Sequence, residues 1–150
     1  VRLNRRQWLL AQQPFLSLQL VIEQSGERVL KILNAGPGPA RGVRFCVAAG
    51  AEFASGYAGA QFGGYLAPGQ RTELVLELSA EAKTEMSGIV ICWDGAERVH
   101  RFSTLGGRTI SRRNKDSEGA TDPEQAFRAQ FGDAALQGLH RVRGRGRGAP

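Results

Sequence analysis

Two clusters of glycine and proline constrain this chain more than any other feature: Asn34-Ala35-Gly36-Pro37-Gly38-Pro39-Ala40 and Leu66-Ala67-Pro68-Gly69-Gln70. Each lies between runs in which apolar and polar residues alternate. Proline presets φ and glycine permits φ > 0, so such clusters punctuate turns. Turns between period-two runs build antiparallel sheet, which predicts an all-β domain.

After Pro14, Leu16, Leu18, Leu20 and Ile22 alternate with Ser17, Gln19, Val21 and Glu23, as in a half-buried strand. Ser25-Gly26 turns the chain into a return strand from Arg28 to Asn34, with Leu30 and Ile32 inward. A third strand, Val43 to Ala49, puts Val43, Phe45 and Val47 on one face and Arg44 and Cys46 on the other. Residues 50–65 read either as a glycine-rich loop across the sandwich or as an edge strand. Phe53, Tyr57, Phe62 and Tyr65 are there expected to anchor in the core.

From Arg71 to Ser79, Thr72, Leu74, Leu76 and Leu78 alternate with Glu73, Val75 and Glu77. The outward acids should discourage pairing at that edge. Ser87 to Trp93 and Glu97 to Thr104 flank Asp94-Gly95, the signature of a hairpin whose type I′ turn has φ > 0 at both positions. The alternation places Ile89, Ile91 and Trp93 inward and Cys92 outward. Six or seven strands at these spacings predict an antiparallel β-sandwich over residues 14–104.

Three segments flank it. Residues 1–13 read as a short helical or irregular lead-in, and the polar, glycine-containing stretch 105–120 as a linker. Residues 121–139 predict an amphipathic helix: Thr121 as N-cap, Pro123 in the first turn, Glu124 closing a capping box, and Gly138 as the stop. Its apolar stripe, Phe127, Phe131, Ala134, Ala135 and Leu139, has to bury against something, since a lone helix of this length is marginal in water. The cover is its own sandwich, or else a protein partner or second copy docking at Phe127, Phe131 and Leu139. Residues 140–150, with Arg141, Arg143, Arg145 and Arg147 spaced by glycine or valine, predict a disordered tail.

Charge is uneven. The net of +6 divides into +2 over residues 1–104 and +4 over residues 105–150, and arginine far outnumbers lysine. That excess reads as the composition of a GC-rich genome or as a surface for polyanions. The four tail arginines suit phosphates without sequence choice, or an anionic membrane surface. No aromatic ring lies among them to stack on bases.

Other chemistry finds little to stand on. His100 and His140 show no metal-ligand spacing, so neither metal nor other cofactor is expected. Cys46 or Cys92 with His100 is the one conceivable nucleophile pair, since residues 92 and 100 face each other across the hairpin. A solvent-exposed cross-strand histidine is the expectation instead. Gly36 and Gly38 open neither a phosphate loop nor a dinucleotide fingerprint. A non-catalytic domain without a small-molecule ligand is expected. No apolar run reaches the ~20 residues of a membrane span, and Arg5-Arg6 precedes too short an apolar stretch for a signal peptide. A cytoplasmic setting is expected, or a membrane-associated one if the chain, which begins with Val1, belongs to something longer.

The positions Asn34-x-Gly36-x-Gly38-Pro39-Ala40 followed by Val43, and Leu66-x-Pro68-Gly69-Gln70, resemble turns of bacterial immunoglobulin-like β-sandwich domains. The resemblance covers residues 14–104. It implies an adhesive, accessory or spacer module, or the soluble part of a membrane-associated protein, and it carries over no active site. In antibody-type domains a tryptophan lies between the two cysteines, whereas Trp93 directly follows Cys92 here. Cys46 and Cys92 are therefore expected as reduced thiols, both facing outward, and near neighbours on one outer face only if their strands adjoin in one sheet.

Overall fold

The computed structural model describes residues 4–49, 52–58, 64–78, 86–105, 108–113, 122–131, 140–143 and 145–147. Helix α1 (Arg5–Ala11) leads into strands β1 (Leu16–Ile22), β2 (Arg28–Asn34), β3 (Arg41–Ala49), β4 (Glu52–Tyr57), β5 (Arg71–Leu76), β6 (Ser87–Trp93), β7 (Val99–Leu105) and β8 (Arg108–Arg113). Helix α2 (Pro123–Phe131) and two short strands, β9 (His140–Arg143) and β10 (Arg145–Arg147), follow. The smaller sheet has the order β1-β2-β5-β10, and the larger β8-β7-β6-β3-β4-β9. All pairings are antiparallel except that of β9 with β4.

The two sheets face each other across one core. Leu16, Leu18, Leu30, Ile32, Leu74 and Leu76 of the smaller sheet pack with Val43, Phe45, Val47, Val90, Cys92 and Phe102 of the larger. This is the sandwich that period-two burial predicts. A second apolar layer lies on the outer face of the larger sheet, where Cys46, Ala48, Phe53, Ile89 and Ile91 are covered by Ala126 and Phe127 of α2.

The two turn clusters meet at Asn34, which is fully buried. Its Nδ2 donates to the carbonyls of Gly38 (2.9 Å) and Leu66 (3.0 Å), and its Oδ1 accepts from the amides of Gly36 (3.1 Å) and Phe15 (3.3 Å). Its backbone accepts from Gly69 N–H (2.7 Å) and donates to the Gln70 carbonyl (2.9 Å). Ala40 and Leu66 exchange both backbone bonds beside it. Gly36 and Gly38 are required by contact: a Cβ at either would overlap the backbone of the Gln12–Phe15 segment.

Several expectations are corrected. The β6–β7 hairpin exists, but Glu97 N–H bonds to the Asp94 carbonyl (3.2 Å) and Asp94 N–H to the Arg98 carbonyl (2.8 Å). That is a three-residue loop with Glu97 left-handed (φ 63°), not a type I′ turn at Asp94-Gly95. The facing of β6 is reversed: Cys92 lies in the inter-sheet core, and Ile89, Ile91 and Trp93 pack on the outer face. Both faces of β6 are covered, so alternation alone could not tell them apart. Cys46 and Cys92 form no disulfide; they are buried on opposite faces of the larger sheet, not neighbours on one.

The expected linker contains β8, paired along its whole length with β7, and the expected disordered tail contributes an edge strand to each sheet. Backbone ladders need no apolar side chains, which is why these segments lack a strand pattern. β10 also pairs with β5 despite the acids of that strand, placing Arg147 in register with Glu73. Of the four aromatic residues between 50 and 65, Phe53 is buried beneath α2, and Tyr57 and Tyr65 are exposed instead of anchored. Phe62 lies outside the described residues.

Candidate functional site

Strand register sets two parallel rows of side chains on the outer face of the larger sheet. Ser55, Cys46, Ile89 and Ser103 form one, across β4, β3, β6 and β7. Tyr57, Arg44, Ile91 and Arg101 form the next, two residues along each strand. Helix α2 lies along the first row. Ser55 Oγ donates to Glu124 Oε1 (2.8 Å) at one end, and Gln130 Nε2 donates to Ser103 Oγ (2.9 Å) at the other. Asp122 caps the helix: its Oδ1 accepts from Glu124 N–H (3.0 Å) and its carbonyl from Ala126 N–H (3.0 Å), while Thr121, the expected cap, lies outside the described residues. Pro123 then takes the first helical position, where it has no amide to satisfy.

The second row stays beside the helix and joins cations to aromatic rings. The Arg44 guanidinium sits 4.8 Å from the centroid of Trp93 and 5.8 Å from that of Tyr57. A register shift between Arg41 and Arg44 sets this up, with Gly42 left-handed (φ 59°). The Trp93 ring lies where a Cβ at Gly42 would be, so a side chain there would displace it. Stacked guanidiniums of this kind contribute about 0.5–2 kcal/mol, more as water is excluded.

Neither arginine of this row is neutralised by a carboxylate among the described residues. The Nε atoms of Arg44 and Arg101 are both buried without an acceptor there. Buried N–H groups left unpaired cost roughly 1–3 kcal/mol each, and more when charged. An anion laid on this row would supply the counter-charge that both guanidiniums lack among the described residues. Tyr57, 58% exposed at one end, offers an open ring face.

The nucleophile candidates are arranged differently from the expectation. Cys92 and His100 are direct partners across the ladder, but His100 is buried, not solvent-exposed. Its Nε2 lies 2.8 Å from Oδ2 of the fully buried Asp94. Asp94 Oδ1 accepts from Ala96 N–H (2.7 Å) and Arg98 N–H (2.9 Å), and the imidazole stacks on Phe102 at 6.3 Å. Burial, seconded by the charge of Asp94, pushes the Cys92 thiol far above its ordinary range. A nucleophile has to be a thiolate, and burial works against that form here; Asp94 ties the His100 ring to the amides of Ala96 and Arg98, a clip across the hairpin.

The sequence-derived site residues fall in three places. Phe127 is buried against its own sheet. Phe131 ends α2 but its side chain, like Leu139 altogether, lies outside the described residues. Arg141 and Arg143 belong to β9, and Arg145 and Arg147 to β10, at edges of different sheets. Reading the sequence missed Arg44, Tyr57, Trp93 and Arg101 as a group. Outward alternation of Arg44 was visible, but the register joining four strands was not. Among the described residues no cluster of His, Cys, Asp or Glu could hold a metal ion, and no helix is long and apolar enough to cross a membrane. Compared with known proteins, the chain gives no match to a family model, to a curated protein or to a solved structure.

Proposed function

We propose that this chain is a non-catalytic β-sandwich interaction module, immunoglobulin-like in type, that engages a polyanionic partner through the arginine–aromatic row of its larger sheet. One observation carries the reading: Arg44 lies against Trp93 and Tyr57 beside Arg101, with no carboxylate from the described residues on either cation. The meeting of the two turn clusters at Asn34 supports the immunoglobulin-like type, since those are the positions that carry the resemblance. Two reduced thiols buried on opposite sheet faces suit a reducing, cytoplasmic setting. The partner-docking role first given to Phe127 passes to this row, because α2 spends that ring on its own sheet.

Fluorescence anisotropy with a labelled single-stranded oligonucleotide, and elution from immobilised heparin, test the reading. Binding weakens steeply with salt as counterions are released. Arg44→Gln and Arg101→Gln each lower the log–log salt slope by about 0.7 on the single strand. A chain ended before His140 loses the tail's share and keeps the remainder. Binding that ignores both substitutions and vanishes on truncation would move the site to the tail and end this proposal.

A further inference from the structure

The row through Arg44 runs across the strands of the larger sheet, one position per strand. Tyr57 of β4, Arg44 of β3, Ile91 of β6 and Arg101 of β7 follow in register, and β8 continues it with Arg112 opposite Arg101. At about 4.8 Å from strand to strand, these five positions span roughly 19 Å. None of the five is acidic.

The row also carries more than charge. The Arg44 guanidinium lies between two rings, 4.8 Å from the centroid of Trp93 and 5.8 Å from that of Tyr57, so three flat groups stand together. Gly42 leaves the space that the Trp93 ring fills, which holds one end of the group in place. Tyr57 ends the other. At 58% it is more exposed than any other large apolar side chain among the described residues. Such a ring adds little to the packing of the sandwich, and it gives a flat partner a face to stack on.

We infer that this row takes a single-stranded nucleic acid across the strands, with phosphates on Arg44 and Arg101 and a base stacked on Tyr57, which rests on the polyanion reading of the same row and names its partner. Chemistry separates this partner from other polyanions. A sulfated polysaccharide pairs with the cations by charge alone and leaves the ring unused. A duplex offers phosphates but keeps its base faces stacked inside, out of reach of a ring on a sheet surface. A single strand offers phosphates and open base faces together, and aromatic rings beside arginines take both without choice of sequence. Side chains already held in place lose little freedom on binding, and the contacts of Arg44 with Trp93 and Tyr57 hold it so.

The full chain is titrated at one salt concentration against labelled oligothymidylate, an abasic strand with the same number of phosphates, and a duplex of equal length. Elution from heparin is the control for charge. The abasic strand is expected to bind about tenfold more weakly than oligothymidylate. Tyr57→Leu loses about tenfold on oligothymidylate and leaves the duplex and heparin as they were, because it removes a ring and no phosphate contact. Its salt slope stays that of the parent chain, whereas Arg44→Gln lowers the slope. Its Tm changes little, since the ring is exposed in the folded chain. Tyr57→Phe keeps the ring and binds like the parent.

Equal binding of oligothymidylate and the abasic strand overturns the inference. So does a Tyr57→Leu chain that binds oligothymidylate like the parent, or one that loses as much on the duplex and heparin as on the single strand. Each of these leaves the row a site for charge alone, with the polyanion reading standing. Absence of binding to all three nucleic acids and to heparin ends that reading, and this inference with it.

Discussion

At the scale of single residues, Asn34 fastens the two turns that otherwise only punctuate the sequence. Its carboxamide makes four hydrogen bonds, to four different backbone groups, in a fully buried position. Removing it takes this partner from the Gly38 carbonyl and the Gly36 and Phe15 amides, at about 1–3 kcal/mol each where water cannot replace it, while the Leu66 carbonyl keeps the Ala40 amide. Asn34→Ala is expected to destabilise the fold by about 3–5 kcal/mol. Asn34→Asp should be nearly as harmful, because a carboxylate cannot donate to the Gly38 and Leu66 carbonyls. Urea unfolding followed by circular dichroism measures both, and a loss under about 1 kcal/mol would remove Asn34 from this role.

Cys92 gives the second prediction at this scale. Its thiol is raised in the folded chain by burial and by Asp94, while in the unfolded chain it titrates near pH 8.5. Above that pH the unfolded chain sheds the proton and the folded chain keeps it. Folding therefore binds protons there, and stability falls as pH rises. The contribution is fully present below about pH 8.5, and its loss approaches 1.4 kcal/mol per pH unit above it. Cys92→Ala should flatten this slope relative to the parent chain when unfolding is compared at about pH 8 and pH 10 in reductant. Parallel slopes in the two chains would show that Cys92 is not the group responsible.

At the scale of elements, α2 is part of the domain, not an appendage. Phe127 is fully buried among Cys46, Ile89 and Ile91, and the helix ends are hydrogen-bonded to Ser55 and Ser103. Phe127→Ala opens a cavity under the helix and should cost about 3–5 kcal/mol. Glu124→Gln keeps an acceptor for Ser55 and should cost under about 1 kcal/mol. Thermal unfolding of the two variants checks the contrast, and equal Tm values would mean that the helix is not held by its apolar face.

The same element shows what the chain discloses about itself and what it withholds. Phe127 was legible as the centre of an apolar stripe, because helical spacing is local. Its cover was not, because Ile89 and Ile91 look like inward residues to any reading of β6 by alternation. A strand buried on both faces carries no marker of which face is which. For the same reason alternation places Trp93 in the core and hides its meeting with Arg44. The Asn34 and Leu66 clusters were legible as turns, but their contact depends on a sequence separation that no local pattern encodes. Arg44 and Arg101 gather only through the register of β3, β6 and β7.

At the scale of the molecule, the arginine-rich end acts as a strap. β9 pairs with β4 at the edge of the larger sheet, and β10 with β5 at the edge of the smaller, with only residue 144 between them. The chain thus crosses from one layer to the other along one side of the sandwich and pairs two strand edges in passing. Unpaired edges are templates for another chain's strand, and charge on the outermost strand deters the next addition. Arginine every second residue over 141–147 meets both needs: its backbone completes the ladders and its charge opposes further growth. Ending the chain before His140 removes β9 and β10 together and bares β4 and β5. The truncated protein should unfold at a lower temperature, by about 2–4 °C for each kcal/mol of lost pairing. It should also self-associate as concentration rises, in light scattering after size-exclusion chromatography, while the full chain does not. Adding salt should narrow the difference, because it screens the arginines that keep full-length copies apart and leaves bare edges as they are. A truncated chain that keeps both its Tm and its mass at every concentration would show that the arginines close nothing, and that their positive charge alone accounts for their presence.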